Sequence, residues 1–174
     1  MPWLYLHFQH LLLDHIARAR EASAPLAVLC QGSRRVLQAC PRAMARGVQP
    51  GTALKTALNL APELVMVHAD DNRQARILEQ QAHWLYRYMD RITLYPPDGL
   101  LADAGSVRRL YGGLQPLREA LQKALGERQL HATLTTGTTP LAARLLARAG
   151  ADCFTEGTEE MATNLATLPL AATE

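Results

Sequence analysis

Asp98 is the residue of this 174-residue chain whose type and setting point most directly to chemistry. It stands in Tyr95-Pro96-Pro97-Asp98-Gly99-Leu100-Leu101-Ala102-Asp103, behind a proline pair and at the mouth of an apolar run. A metal-dependent enzyme would want a pair of acids at such a place. Two divalent ions ~3.5–4 Å apart have to be clamped by several carboxylates, and Mg²⁺ takes hard oxygen ligands in octahedral geometry. The adjacent position is Gly99, so the second acid is missing. Asp103 does not replace it, because five strand residues span ~17 Å and reverse the face. The plainer role for Asp98 is a turn acid after Pro-Pro, which needs no metal.

Three histidines, His7, His10 and His15, lie close together near the start of the chain. No cysteine or acid completes a zinc signature with them, so no metal site is expected there. Gly112-Gly113 and Gly137 lack the lysine and the spacing of a phosphate-binding loop. No Gly-x-Ser-x-Gly elbow occurs. Arg34, Arg35, Arg42 and Arg46 fall in one short stretch without an acid, a patch that could meet phosphates or be a solvated basic face. Net charge is only +2, which by itself identifies no partner. Cys30, Cys40 and Cys153 form no C-x-x-C, a usage that fits a reduced, cytoplasmic setting. The first apolar run is broken by His7, Gln9 and His10, so neither a signal peptide nor a membrane span is expected.

Nearly half the residues are hydrophobic (48%) but only 5% are aromatic, so the core must be built largely from Leu and Ala, which favours helices. The pattern predicts a strand over Trp3–Phe8 and a helix over Leu11–Arg20. A hairpin is expected over Leu26–Cys30 and Arg35–Ala39. A short helix should end at Gly47, and another, capped by Thr52, should stop before Pro62. Leu64–His68 reads as a strand. A long helix from Asp70 to about Asp90 carries the stripe Leu78, Ala82, Leu85, Met89 and Ile92. Strands follow at Leu94 and at Leu100–Ala104, then a helix stopped by Gly126 and a strand over Leu130–Thr135. Pro140 opens a further helix, which Gly150 ends. A short strand at Cys153-Phe154 and a helix over Glu159–Ala166 close the order. With the middle stretch removed, this is an α+β, ferredoxin-like arrangement with an inserted subdomain. Such a fold alone fixes no function.

Five stretches, in order, resemble Y-family (DinB/UmuC type) translesion DNA polymerases, and within them the degenerate ImuB-like branch. They are Trp3-Leu4-Tyr5-Leu6-His7-Phe8, Pro25-Leu26-Ala27-Val28, Ala45-Arg46-Gly47-Val48-Gln49-Pro50-Gly51, Pro97-Asp98-Gly99-Leu100-Leu101-Ala102-Asp103 and Thr139-Pro140-Leu141-Ala142-Ala143-Arg144-Leu145-Leu146-Ala147. The resemblance implies a palm over residues 1–20 and 70–174 and a fingers insertion over 21–69. Thumb and DNA-gripping domains would lie outside this chain.

The resemblance also implies a metal site built from an Asp on the first strand and an Asp-Glu pair on the hairpin. Here those positions are His7, Asp98 and Gly99, so one carboxylate of three remains. A neutral imidazole suits softer metals than Mg²⁺. Where active relatives grip the triphosphate with a Tyr and an Arg, this chain has Pro41 and Met44. Arg144 is the basic residue left on the palm helix, although a solvated helix arginine is its plainer reading. The expectation is therefore a polymerase homologue without catalytic residues and without a cofactor. It would act as a DNA-binding adaptor in damage-induced (SOS) mutagenesis, touching primer-template DNA weakly through Arg144, Arg34, Arg35, Arg42 and Arg46. Sliding-clamp and mutagenesis partners would be met mainly through regions outside this chain. Two alternatives stand beside it. One is an active translesion polymerase with an unusual Mg²⁺ site; the other is a ferredoxin-like protein-interaction domain.

Overall fold

The computed structural model describes residues 2–20, 24–154 and 158–166. Its first elements are β1 (Trp3–His7), α1 (Leu11–Ala19), β2 (Leu26–Leu29), β3 (Val36–Ala39), α2 (Pro41–Ala45), α3 (Leu54–Leu60) and β4 (Val65–His68). They are followed by α4 (Asp71–Leu85), β5 (Ile92–Tyr95), β6 (Gly99–Asp103), α5 (Ala104–Tyr111), α6 (Leu114–Glu127), β7 (Thr133–Gly137), α7 (Pro140–Arg148) and α8 (Thr158–Ala166). The chain divides into two compact units, one from the residues up to Gln9 with those from Leu78 onward, the other from His10 to Ile77.

The larger unit holds a four-stranded sheet in the order β5-β6-β1-β7. Every neighbouring pair is antiparallel. Two strands from the second half of the chain, β6 and β7, thus flank β1, which is the split βαβ pattern of a ferredoxin-like fold. Strand alternation sorts the side chains. Tyr5 and Leu101 are buried with Ala143 and Ala147 of α7, and Trp3 and Tyr95 pack against them. The other face presents Leu4, Leu6, Leu100 and Ala102, all inaccessible to solvent. Helices α4 and α6 bring buried stripes of their own, Leu78, Ala82 and Leu85 on one and Leu117, Leu121 and Leu125 on the other. The smaller unit holds the sheet β3-β2-β4. There β2 is antiparallel to β3 and parallel to β4. Ala27, Leu29, Val36, Ala43, Val48 and Ala57 are among its core residues.

Several local expectations are corrected. Helix α4 ends at Leu85, and Tyr86–Tyr88 form turns before Met89 returns to the core. Thr52 does not cap α3: the N-cap is Ala53, and the Thr52 hydroxyl accepts the Gln49 N–H instead. Helix α6 runs through Gly126 to Glu127, because a solvent-facing glycine costs a helix only about 1 kcal/mol. Strand β7 begins at Thr133. Cys153-Phe154 forms no strand, although the Cys153 carbonyl accepts the Thr136 N–H at 2.8 Å. Helix α5 was not expected at all. The Asp103 side chain caps it by accepting the Gly105 N–H at 2.9 Å.

Replacing either Leu100 or Leu101 with Ala should cost about 2–5 kcal/mol in a urea titration, from lost burial plus the cavity left behind. The partly exposed Leu94→Ala on β5 should stay within about 1 kcal/mol. Equal effects at all three positions would refute this register.

Candidate functional site

The end of the four-stranded sheet at His7 gathers the acid-bearing turn. His7 pairs with Gly99 of β6 on one side and with Thr133 of β7 on the other. The turn between β5 and β6 contains a cis Pro96–Pro97 bond and delivers Asp98 just before the ladder begins. The Asp98 carbonyl accepts the Phe8 N–H at 2.8 Å, tying the turn to the end of β1. The Asp98 carboxylate lies 3.4 Å from His7 Nε2. His7 and Asp98, predicted from sequence as the remnants of one site, are therefore neighbours.

The third position, Gly99, is filled from across the sheet. Tyr5 and His7 are two residues apart on β1 and share a face. Directly paired residues of an antiparallel ladder share a face as well, so Leu101 and Gly99 lie beside them. A Cβ built on Gly99 would stand 1.8 Å from the Tyr5 hydroxyl oxygen and 2.5 Å from Cζ. The phenol thus packs directly over Gly99. Tyr5 is 1% exposed. Its ring meets Tyr95 edge-on at 5.7 Å between centroids, and the Arg144 guanidinium lies 5.3 Å above the Tyr95 ring. Arg144 is thus brought to the same corner as Asp98, as a cation held over an aromatic face.

Burial pushes the Tyr5 hydroxyl up to about 12, Arg144 pulls it down and the Asp98 carboxylate pushes it up again. The phenol therefore stays neutral at ordinary pH and offers no anionic oxygen to a metal. Among the described residues, Asp98 is the lone carboxylate at this corner, and His7 faces it. This donor set does not fit a pair of Mg²⁺ ions, which need several hard oxygens. Among the described residues, no group of three or more His, Cys, Asp or Glu could hold a metal ion. Asp103, the acid at the far end of β6, caps α5 and lies 3.9 Å from Arg91 Nη1.

In the smaller unit the four arginines have separate fates. Arg34 and Arg35 line a groove of about 420 Å³ with Lys55, Leu54 and Leu58. The Arg35 guanidinium also donates to the Gly51 carbonyl at 2.8 Å. Arg46 is ion-paired with Glu63, which halves the basic character expected for that end of the stretch. Arg42 lies exposed on α2, between Pro41 and the exposed Met44. Neither Pro41 nor Met44 carries a group that could hold a phosphate.

Sequence reasoning missed Tyr5, Tyr95, Lys55 and Glu63. The alternation of β1 already put Tyr5 on the face of His7, but its closeness to Gly99 needed the β1–β6 register.

The impB/mucB/samB family profile matches residues 13–148. Protein ImuB of Caulobacter vibrioides is 31% identical over 126 residues, which are 72% of this chain and 28% of that protein. DNA polymerase IV 2 of Halalkalibacterium halodurans is 32% identical over 104 residues, 58% of this chain and 25% of the relative. The chain thus spans about a quarter of the length of these curated relatives. Among solved structures, the post-insertion binary complex of Dbh DNA polymerase superposes with a TM-score of 0.72 at 18% identity, covering 99% of this chain and 53% of that one. DinB from Sulfolobus solfataricus gives 0.59 at 18% identity, covering 84% and 45%. At these identities the structural likeness establishes the fold, that of Y-family palm and fingers domains.

The raised Tyr5 value carries a pH signature. The unfolded chain releases that proton near pH 10, before the folded one does. The stabilisation is therefore complete below pH 10 and is lost as pH climbs toward about 12. Denaturant titrations across that window should show stability falling with pH. Tyr5→Phe should flatten the part due to this phenol, and an unchanged slope would contradict its burial.

Proposed function

Because the chain belongs to the impB/mucB/samB family of Y-family polymerase homologues, we propose that it is a polymerase-fold component that has given up nucleotidyl transfer and serves translesion synthesis as a DNA-binding adaptor. In this reading residues 1–20 and 70–174, which include the four-stranded sheet, form the palm, and residues 21–69 form the fingers. The observation that carries the reading is the corner around Gly99. One carboxylate remains there, His7 stands 3.4 Å from it, and the Tyr5 ring fills the space beside it. Phosphoryl and nucleotidyl transfer rest on positioning and charge neutralisation by metal ions. A corner that cannot gather the ions cannot supply either.

What this chain keeps is a set of cations suited to phosphates. Arg34, Arg35 and Lys55 share one groove in the smaller unit, and Arg144 stands over Tyr95 in the larger. Contacts of this kind position a backbone without reading sequence. An adaptor that holds primer-template DNA while partner proteins engage elsewhere needs no more from this region. Sliding-clamp and mutagenesis partners would dock largely through regions beyond the quarter of its relatives that this chain spans. No described helix is long and apolar enough to cross a membrane.

Primer-extension assays decide between adaptor and polymerase. The protein should add no nucleotide to a primer with Mg²⁺ or Mn²⁺ on any template. Template-directed incorporation that Asp98→Ala abolishes would overturn the reading. DNA binding should be weak and indifferent to sequence, with a dissociation constant no tighter than about 10⁻⁶ M. With ~2–4 phosphates neutralised, fluorescence anisotropy across a salt series should give a slope of log K on log salt of about −2 to −4. Arg34→Ala and Arg35→Ala should each flatten it, whereas Arg46→Ala, whose charge Glu63 already meets, should change it less.

A further inference from the structure

We propose that the end of the larger unit opposite the Asp98 corner is a second nucleic-acid surface, which takes a single strand by stacking its bases on tyrosine and meeting its phosphates with arginine. The residues are Tyr86, Arg87 and Arg91, which follow α4, and Arg109 and Tyr111 on α5. The inference goes beyond the adaptor reading, which uses Arg144 and the groove of the smaller unit. It does not depend on the loss of a metal site.

Strand β6 fixes where this surface lies. It begins at Gly99, beside the corner, and ends at Asp103, where α5 starts. About 13 Å of strand separates the two ends. At the far end the segment after α4 is clamped to α5. The Asp103 N–H donates to the Arg91 carbonyl at 3.3 Å, and the Ser106 hydroxyl donates to the Asp90 carboxylate at 2.8 Å. Farther along α5, the Tyr111 hydroxyl is held above its ordinary value by burial first and then by the neighbouring Tyr88. Tyr88 in turn packs on the buried Trp84, with 5.5 Å between ring centroids. Residues 86–91 and 103–111, apart in sequence, therefore make one surface.

These two segments hold three of the chain's five tyrosines and four arginines, with no lysine, against two acids. Both acids are engaged. Asp103 is buried and caps α5, and Asp90 accepts the Ser106 hydroxyl. The cations stand outward: Arg87, Arg108 and Arg109 are exposed, and the Arg91 side chain is 74% exposed. Tyr86 is 53% exposed, and Leu110 beside Arg109 is 81% exposed. The platform is fixed in advance, because α5 is capped by Asp103 at its start and closed by Gly112 in the left-handed conformation at its end. Composition selects the partner. An acidic protein surface is met as well by lysine as by arginine. Tyrosine and arginine together offer planar faces on which any base can stack, and the guanidinium fork takes phosphate oxygens in pairs. A duplex keeps its base faces inside the stack, so exposed rings reward a single strand.

Photo-crosslinking locates the strand, and substitution weighs its contacts. An oligo(dT) of about 12 nucleotides carrying 5-iodouracil, within the length such surfaces accept, should crosslink on irradiation to peptides containing Tyr86 or Tyr111. In fluorescence anisotropy, Tyr86→Ser should weaken binding of the same oligonucleotide about fivefold or more, the loss of one stacked base, and leave duplex binding within about twofold. Tyr86→Phe keeps the ring and should bind as the unaltered protein does. Arg87→Ala and Arg109→Ala should each lower the slope of log K on log salt by about 0.7 on the single strand. The Tyr86→Ser effect should persist when Arg34 and Arg35 are both replaced by Ala, which separates this surface from the groove of the smaller unit. The altered side chains are exposed, so the melting temperature should hold and show that each variant is folded. Crosslinks that avoid both tyrosines would contradict the proposal, as would equal binding losses in Tyr86→Ser and Tyr86→Phe, or no loss in either. Displacement of the oligonucleotide by poly-Glu as readily as by unlabelled oligo(dT) would also sink it, marking a surface for an acidic protein instead.

Discussion

The phenol of Tyr5 packs over Gly99 from the neighbouring strand. That contact joins the two central strands of the larger unit at the point where a metal-dependent site would need its acids. It explains why Gly99 is buried within a strand, where glycine is otherwise a poor choice. A residue without a Cβ is what lets the ring close over the ladder. The gain is apolar: a large ring is sealed between the sheet and α7, with Tyr95 and Arg144 stacked outside it. Burial of this kind stabilises by about 25 cal/mol per Å² of apolar surface. The corner beside it keeps one carboxylate.

The consequences for function follow from charge. Carboxylates brought together without metal repel one another, and metal relieves the repulsion. With only Asp98 left and His7 facing it, nothing at this corner calls for a divalent ion. Arg144 and the Arg34–Arg35–Lys55 groove keep their positive character, which draws phosphates by long-range attraction that salt screens. On the proposed reading, these cations are where the protein would meet DNA. The family membership and the fold account for the scaffold.

Much of this was legible in the residues. Apolar runs of four or five marked nearly every strand, and proline and glycine punctuation placed α2, the β5–β6 turn and α7. The missing acid at 99 was plain from the residues, and the one at 7 followed from the family resemblance. Helix α5 was not, because Gly105, Val107 and the Arg108-Arg109 pair leave no apolar stripe to recognise. Its signal was Asp103, which reads as a strand residue until it is seen to cap. The basic stretch from Arg34 to Arg46 looked free of acids because Glu63 arrives from another part of the chain. Lys55 joins Arg34 and Arg35 for the same reason. Tyr5 was hidden most deeply. Alternation puts it beside His7, but its closeness to position 99 depends on a diagonal across two strands, a relation that only the register supplies.

The account stands or falls on whether the Asp98 corner can hold a metal. Anomalous diffraction from crystals of the unaltered protein grown with manganese chloride would show this directly. The account predicts no manganese peak beside Asp98, with the Tyr5 ring packed against Gly99 and His7 Nε2 facing the carboxylate. A manganese ion coordinated by Asp98 would contradict it.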